Sequence, residues 1–318
     1  MNHELLTMNT ISNQQSTSHI LMIRPVNFGF NEETAASNAF QKRNAEKGDA
    51  NEHARQEFDG MVTILRENGV DVTVIDDTPD PYTPDSIFPN NWVSFHQDGT
   101  IFLYPMQAEN RRLERREDII AQLEDCFHVR HIIDLSRFEA ENKFLEGTGS
   151  MVLDRINKIA YACISPRTDR EVLALFCERA GYKEVSFRAF DEYHMAIYHT
   201  NVLMCIGSGF AVICLDSITG DDEKNAITAI LKLTHKEIIS ISFDQMNRFA
   251  GNMLEVKNTS GETLIVMSQN AFNALESEQK GALGKFGKLI YVNINTIETN
   301  GGGSARCMMA EIHLPVSS

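Results

Sequence analysis

Apolar and polar positions along this chain fall into a unit that returns five times. Each unit opens with a short apolar strand, adds a second strand, continues into an amphipathic helix started by acidic or hydroxyl residues, and ends in a further apolar strand. ILMIRPV at 20–26, a helix over 51–68 with Phe58, Met61, Ile64 and Leu65 on one face, and VDVTVID make the first. SIFPNNWVSFH, TIFLYPM, a charged helix around 111–125 and HVRHIIDLS make the second. FLEGTGSMVLD, KIAYACIS, a helix from about Asp169 to Ala180 and KEVSFRAF follow. The fourth runs AIYHTNVLMCIG, FAVICLDS, a helix across 221–234 and KEIISISF; the fifth runs FAGNMLEV, TLIVMSQN, a helix near 277–286 and KLIYVNIN.

The opening segments recur at intervals of roughly 50 to 65 residues, near Ile87, Leu145, Tyr198, Ala250 and Ala305. A unit that cannot bury its own apolar face must pack against its neighbours. The pattern therefore predicts an α/β fold, a closed ring of five ββαβ units, in which CMMAEIHLPV at the end completes the unit begun by ILMIRPV. No linker or composition shift interrupts the series, so residues 20–318 are expected to form a single domain behind a flexible polar tail at 1–19.

Composition narrows the partners. With 318 residues and 42% hydrophobic content the chain can bury a large core, and 29 basic against 44 acidic residues leave a formal charge of −15. A surface so acidic repels a phosphate backbone, which excludes nucleic acid as a partner. No apolar run approaches the length of a bilayer span, and residues 1–19 lack the charged start and apolar core of a secretory leader. A cytoplasmic protein acting on a small molecule, with no membrane partner, is expected. Oligomeric state is left open, a homodimer being one option.

Of six cysteines, Cys126, Cys163, Cys177, Cys205 and Cys214 read as small thiols of a reducing compartment. Cys307 differs, because it follows Gly301, Gly302 and Gly303, whose backbone freedom can carry a side chain into a crowded site. Equivalent places in the other opening segments hold Asn90 and Asn91, Glu146, His199 and Asn252. Residues at equivalent positions of a closed ring all face its axis. A thiol, an imidazole and a carboxylate would meet there: the thiol as nucleophile, His199 as general acid and base, and Glu146 orienting the ring or binding substrate N–H groups. Taken singly each has a bland reading, a core cysteine, a satisfied buried histidine and a turn-capping glutamate; their shared phase favours the chemistry. His128 and His131 would project to opposite faces of a strand, so no metal site is expected.

These motifs resemble the guanidino-group-modifying, or pentein, superfamily, over residues 20–316. The resemblance implies a five-bladed, pseudo-symmetric α/β propeller. It also implies Cys307 in GGGSARCM as the nucleophile, His199 in YHTNV as the acid/base histidine and Glu146 in LEGTG as its carboxylate. Asp85 in PDSIFPNNW resembles an aspartate lining the pocket. Arg167 in ISPRTDR resembles an arginine that grips a substrate carboxylate, and Arg111 or Arg112 in NRRLERR resembles a second. No cofactor is implied.

Two departures carry information. Where arginine-processing members have an aspartate after PDSxF, this chain has Asn91, preceded by Asn90; where they often have HxD, it has His199-Thr200-Asn201. Asn both donates and accepts hydrogen bonds, whereas a carboxylate only accepts. A buried carboxylate beside a neutral ureido group would be uncompensated. The chain thus looks most like the citrulline-utilisation hydrolases, with citrulline cleaved to ornithine, ammonia and carbon dioxide. The alternatives are an arginine deiminase or dihydrolase, an amidinotransferase, and, least favoured, a non-enzymatic binding protein of the same fold. Segment 27–50 and the GTGS turn at 147–150 are the candidates for mobile pieces.

Overall fold

A computed structural model of the protein describes residues 14–35, 38, 40–42 and 50–317. Its strands are β1 (His19–Arg24), β2 (Asp71–Asp76), β3 (Val93–Phe95), β4 (Thr100–Leu103), β5 (His131–Asp134), β6 (Val152–Asp154), β7 (Ile159–Cys163) and β8 (Lys183–Phe187). There follow β9 (Met204–Ile206), β10 (Phe210–Ile213), β11 (Glu237–Ser240), β12 (Leu254–Lys257), β13 (Thr263–Ser268), β14 (Lys288–Val292) and β15 (Ala310–Glu311). They form five three-stranded sheets, β15-β1-β2, β3-β4-β5, β6-β7-β8, β9-β10-β11 and β12-β13-β14.

All five sheets share one topology. The first strand runs antiparallel to the central one, and the central one parallel to the third. Antiparallel neighbours need only a short turn, but parallel neighbours need a crossover. Helices Ala50–Glu67, Glu117–Glu124, Arg170–Ala180, Asp221–Leu233 and Ser277–Gly284 lie in these crossovers. The ring closes as expected, with Ile20 opposite Glu311 and Leu21 opposite Ala310, so both ends of the chain share one blade. First strands of successive blades stand side by side at the centre, β15 beside β3, β6 beside β9 and β9 beside β12.

Local chemistry sets the helix limits. Asp169 caps its helix through the backbone N–H groups of Glu171 and Val172, and Gly181 ends it in the left-handed region. Helix Ala50–Glu67 buries Ala54, Phe58, Met61, Val62 and Leu65. Val62 takes the buried place expected of Ile64, which is only half-buried. The helix expected over 111–125 divides into one turn, Glu109–Arg112, and a helix at Glu117–Glu124. Between them the guanidinium groups of Arg115 and Arg116 donate to the carbonyl oxygens of Tyr104 and Asp76 and hold the chain off the helical path.

Two expectations are corrected. The tail does not extend to residue 19: Gln15 and Ser16 are buried, Gln15 Nε2 donates to Leu153 O at 2.9 Å, and Ser16 Oγ donates to Glu255 at 3.1 Å. Residues 1–13 lie outside the described residues. Second, Asn91, Glu146, His199 and Cys307 do not lie within strands. Each sits in or at the edge of a tight turn just before its blade's first strand: Pro89–Asn91, Gly147–Ser150, Thr200–Leu203, and the turn closed by Cys307 N donating to Ser304 O. The strands can then carry apolar core side chains while the turns aim polar ones at the axis. Adjacent turns touch backbone to backbone; a Cβ on Gly147, whose φ is +47°, would stand 2.3 Å from Asn90 O. Among the described residues no helix is long and apolar enough to cross a membrane.

Candidate active site

His199 precedes the turn Thr200–Leu203, and Glu146 precedes the turn Gly147–Ser150 of the neighbouring blade. Their side chains meet with His199 Nε2 2.8 Å from Glu146 Oε2, both sealed from solvent. Burial disfavours the Glu146 carboxylate, but the Arg167 guanidinium, the hydrogen bond to His199 and the charge of Arg111 outweigh it and hold the group well below the usual carboxylate range. The other oxygen, Oε1, accepts from Gln107 N at 3.0 Å. Burial lowers His199 to about 4 against the pull of Glu146. Near neutral pH the ring is therefore uncharged. Its Nε2–H donates to the ionised Glu146, which leaves Nδ1 as the lone pair able to take a proton.

Cys307 is 6% exposed and lines the same pocket as His199. Two amides approach its sulfur, Asn201 Nδ2 and Asn252 Nδ2, each at 3.3 Å. The glycine run before it serves a narrower purpose than general freedom. Gly302 alone of the three adopts a positive φ, +65°, and its carbonyl accepts from the Tyr198 hydroxyl at 2.9 Å.

Asp85, Asn91, Arg111 and Arg167 line the pocket as well. Arg111 donates Nη1 to Asn91 Oδ1 at 2.9 Å, and its Nε stands 3.8 Å from Asp85 Oδ2. Asp85 Oδ2 also accepts from Asn31 Nδ2 at 2.8 Å and Thr34 Oγ1 at 3.4 Å. Burial raises the Asp85 carboxyl above its ordinary value, opposed chiefly by Arg111. Asp85 Oδ1 and Asn91 Nδ2 are buried without a protein partner, a donor and an acceptor unused in one pocket. Asn91 and His199 both pack close against Gly149; a Cβ there would stand 2.3 Å from Asn91 Nδ2 and 2.8 Å from His199 Nδ1.

Of the ten residues expected at the site, six line this pocket, and Glu146, Asn90, Arg112 and Asn201 do not. Arg112 turns away, donating to the carbonyls of Met106 and Gln107 and lying 5.9 Å over the Phe144 ring, so the pocket-facing arginine of the pair is Arg111. Asn90 joins two turns instead, its Nδ2 donating to Thr148 Oγ1 at 3.3 Å and its carbonyl accepting from the same hydroxyl. Asn201 reaches the sulfur from behind the pocket wall. Arg167 does line the pocket, but its guanidinium already meets Glu146 at 3.4 Å and Thr34 O at 3.2 Å and lies 4.9 Å over the Tyr198 ring. It sits against the Glu146 carboxylate.

Asn252 and Glu114 were missed as site residues. The repeat phase does mark Asn252, since FAGNM opens the fifth unit; nothing local marks Glu114, whose burial depends on Arg111. Of the two segments expected to be mobile, Gly147–Ser150 is fully buried inside the ring. The described part of 27–50 straps the pocket mouth, through Asn31 and Thr34 on Asp85, Asn38 Nδ2 on Gly301 O and Lys42 N on Thr299 O. Residues 36, 37, 39 and 43–49 lie outside the described residues. Among the described residues no group of three or more His, Cys, Asp or Glu side chains is arranged to hold a metal ion.

Together these groups set a thiol and a neutral imidazole in one pocket, an ionised carboxylate against that imidazole, and amide donors against the sulfur. The family model for N,N dimethylarginine dimethylhydrolase, eukaryotic, matches residues 24–314. Among solved structures, ArgZ, an arginine dihydrolase from the ornithine-ammonia cycle in cyanobacteria, is similar at a TM-score of 0.74 and 17% identity over 94% of this chain, which spans 41% of that protein. The N-terminal domain of ArgZ, covalently bound to a reaction intermediate, gives 0.73 and 17% over 93% of this chain and 98% of that one. A dimethylarginine dimethylaminohydrolase variant carrying an S-methyl-L-thiocitrulline adduct gives 0.64 and 15%, over 92% and 99%. At such identities the likeness establishes the fold. No curated protein matches the chain in sequence. Matched over nearly its whole described length, the chain belongs to the N,N dimethylarginine dimethylhydrolase family, within the guanidino-group-modifying pentein superfamily.

Proposed function

We propose that the chain is a Cys307-dependent hydrolase of the ureido carbon of citrulline. The observation that carries this reading is the direction of the Asn91 amide. Arg111 has only donors, so the atom of Asn91 that meets Nη1 at 2.9 Å must be its oxygen. The amide nitrogen Nδ2 is then left buried without a protein partner, on a residue that lines the pocket. A donor placed there suits a carbonyl oxygen. Guanidinium substrates have no acceptor to offer it, whereas a ureido group has one.

In this reading Cys307 gives its proton to His199 Nδ1, and the thiolate attacks the ureido carbon. Charge gathering on the ureido oxygen is met by the Asn91 amide donor. His199 returns a proton to the terminal nitrogen, which leaves as ammonia, and the ornithine nitrogen stays joined to sulfur through a thiocarbamate carbonyl. Water, deprotonated by His199, attacks that carbonyl; the sulfur departs and regains a proton. The carbamate released breaks down to ornithine and carbon dioxide. Overall, citrulline and one water give ornithine, ammonia and carbon dioxide.

One observation favours a second reading, a guanidino substrate. Asp85 Oδ1 is a buried acceptor without a partner, and when ionised it could pair with a cation. Purified protein incubated separately with citrulline, arginine and N,N-dimethylarginine, with ornithine, ammonia, citrulline and dimethylamine assayed, separates the two. Ornithine and ammonia released in equal amounts from citrulline is the expected result. Citrulline formed from either guanidino compound, with citrulline itself inert, would overturn the proposal.

A further inference from the structure

We infer that Asn252 is a further catalytic residue, whose amide donates a hydrogen bond to the Cys307 sulfur and steadies it during attack. The inference rests on Cys307 being the nucleophile of the proposed reaction. Asn252 lies in the loop between helix Phe243–Asn247 and β12, in the fifth blade, and is 1% exposed.

Three neighbours fix its orientation. The backbone N–H of Arg306 can only donate, and it stands 3.0 Å from Asn252 Oδ1. The carbonyl oxygen of Asn201 can only accept, and it takes one hydrogen of Nδ2 at 3.1 Å. The remaining Nδ2 hydrogen points to Cys307 Sγ at 3.3 Å. Oδ1 itself lies 3.7 Å from the sulfur, within range of a thiol S–H. One amide therefore offers an acceptor to the protonated sulfur and a donor to the ionised one.

The mounting is rigid. Arg306 is tied by Nη2 to Glu311 at 2.9 Å and by Nη1 to Met309 O at 2.9 Å, so its backbone N–H presents a fixed direction to Asn252. Asn201 Nδ2 reaches the sulfur at the same 3.3 Å, and its own carbonyl is what steers Asn252. The fourth and fifth blades thus supply a paired cradle. When the S–H proton passes to His199 Nδ1, two amide hydrogens face the new negative charge, and hydrogen bonds to a charged group are the stronger kind.

The test measures alkylation of Cys307 by iodoacetamide across pH, with the modified peptide identified by mass spectrometry, in the unsubstituted protein, Asn252→Ala and Asn252→Asp. Asn252→Ala should slow alkylation at neutral pH by about ten-fold or more and move its pH curve upward, in keeping with the loss of one charge-assisted bond. Asn252→Asp should slow it further, because a like charge replaces a donor. Should the alanine variant fail to fold, the aspartate variant keeps the side-chain size and the acceptor for Arg306 N and reads the same outcome. Alkylation of the variants at the native rate and with the native pH dependence would overturn the inference and leave the proposed function intact. A Cys307→Ser protein that still turns over citrulline would overturn both.

Discussion

Arg111 and Glu114 meet in a two-pronged ion pair, Nε to Oε1 at 2.8 Å and Nη2 to Oε2 at 3.0 Å, with both side chains sealed from solvent. Glu114 thereby occupies one edge of the guanidinium and leaves Nη1 for Asn91. Removing one partner of a buried pair strands the other charge, which costs about 3–5 kcal/mol. Glu114→Ala should lower stability by about that amount and raise KM for citrulline more than it lowers kcat, since Arg111 is freed to swing toward Asp85. Denaturant titration and steady-state kinetics on the same preparation check both.

Asn91→Asp should be the more selective change. A carboxylate at this place keeps its bond to Arg111 but has no hydrogen to offer the pocket. Loss of one donor to a developing oxyanion costs roughly 10²–10³ in kcat. Citrulline turnover should fall by that order while thermal stability changes little, because the new charge faces a guanidinium. Kinetics with citrulline, beside a thermal melt, measure the two separately.

Gly149→Ala tests the packing between blades. The added methyl would stand 2.3 Å from Asn91 Nδ2 and 2.8 Å from His199 Nδ1, too close for either to stay. Activity should drop at least ten-fold, as displacements of about 1 Å at a reacting centre do. A crystal structure of the variant should show the His199 ring or the Asn91 amide displaced.

The ring was legible because its signal is spread over five units, and each unit repeats the same apolar phases. The helices at 170–180 and 221–233 fall within a residue of expectation, since Asp169 and the acidic run at 221–223 mark their starts. The convergence of Cys307, His199 and Glu146 near the axis was legible from phase alone. The turns that hold them could not, because Val152–Asp154 and Met204–Ile206 read as continuous strands with the residues before them. Arg111 and Arg112 are indistinguishable in NRRLERR; only Glu114, three residues on and turned inward, decides between them. The order of Gln15 and Ser16 was illegible too, as their partners, Leu153 and Glu255, lie in blades far along the chain.

Acid should destabilise the fold in a defined window. Burial lowers His199 and His313 to about 4 from an ordinary value of 6.5, so the unfolded chain binds more protons between those limits. The two histidines therefore contribute stability that is lost as pH drops from about 6.5 toward 4, on the order of 3 kcal/mol each, against an opposite contribution from Glu114, whose carboxyl burial raises to about 7. His313 belongs to the Glu311 and Arg155 cluster rather than to the pocket, and His313→Gln should flatten the dependence. Denaturant midpoints at pH 7 and pH 4.5, for both proteins, give the comparison.

The central claim is a covalent bond between the Cys307 sulfur and the ureido carbon. It is tested most directly by mixing the protein with excess citrulline, quenching in acid within the first turnovers, and mapping peptides by mass spectrometry. A mass gain on the Cys307 peptide equal to citrulline less ammonia, absent in Cys307→Ser, is the result this account predicts. Ornithine accumulating with no adduct on that peptide, or undiminished in the serine variant, would contradict it.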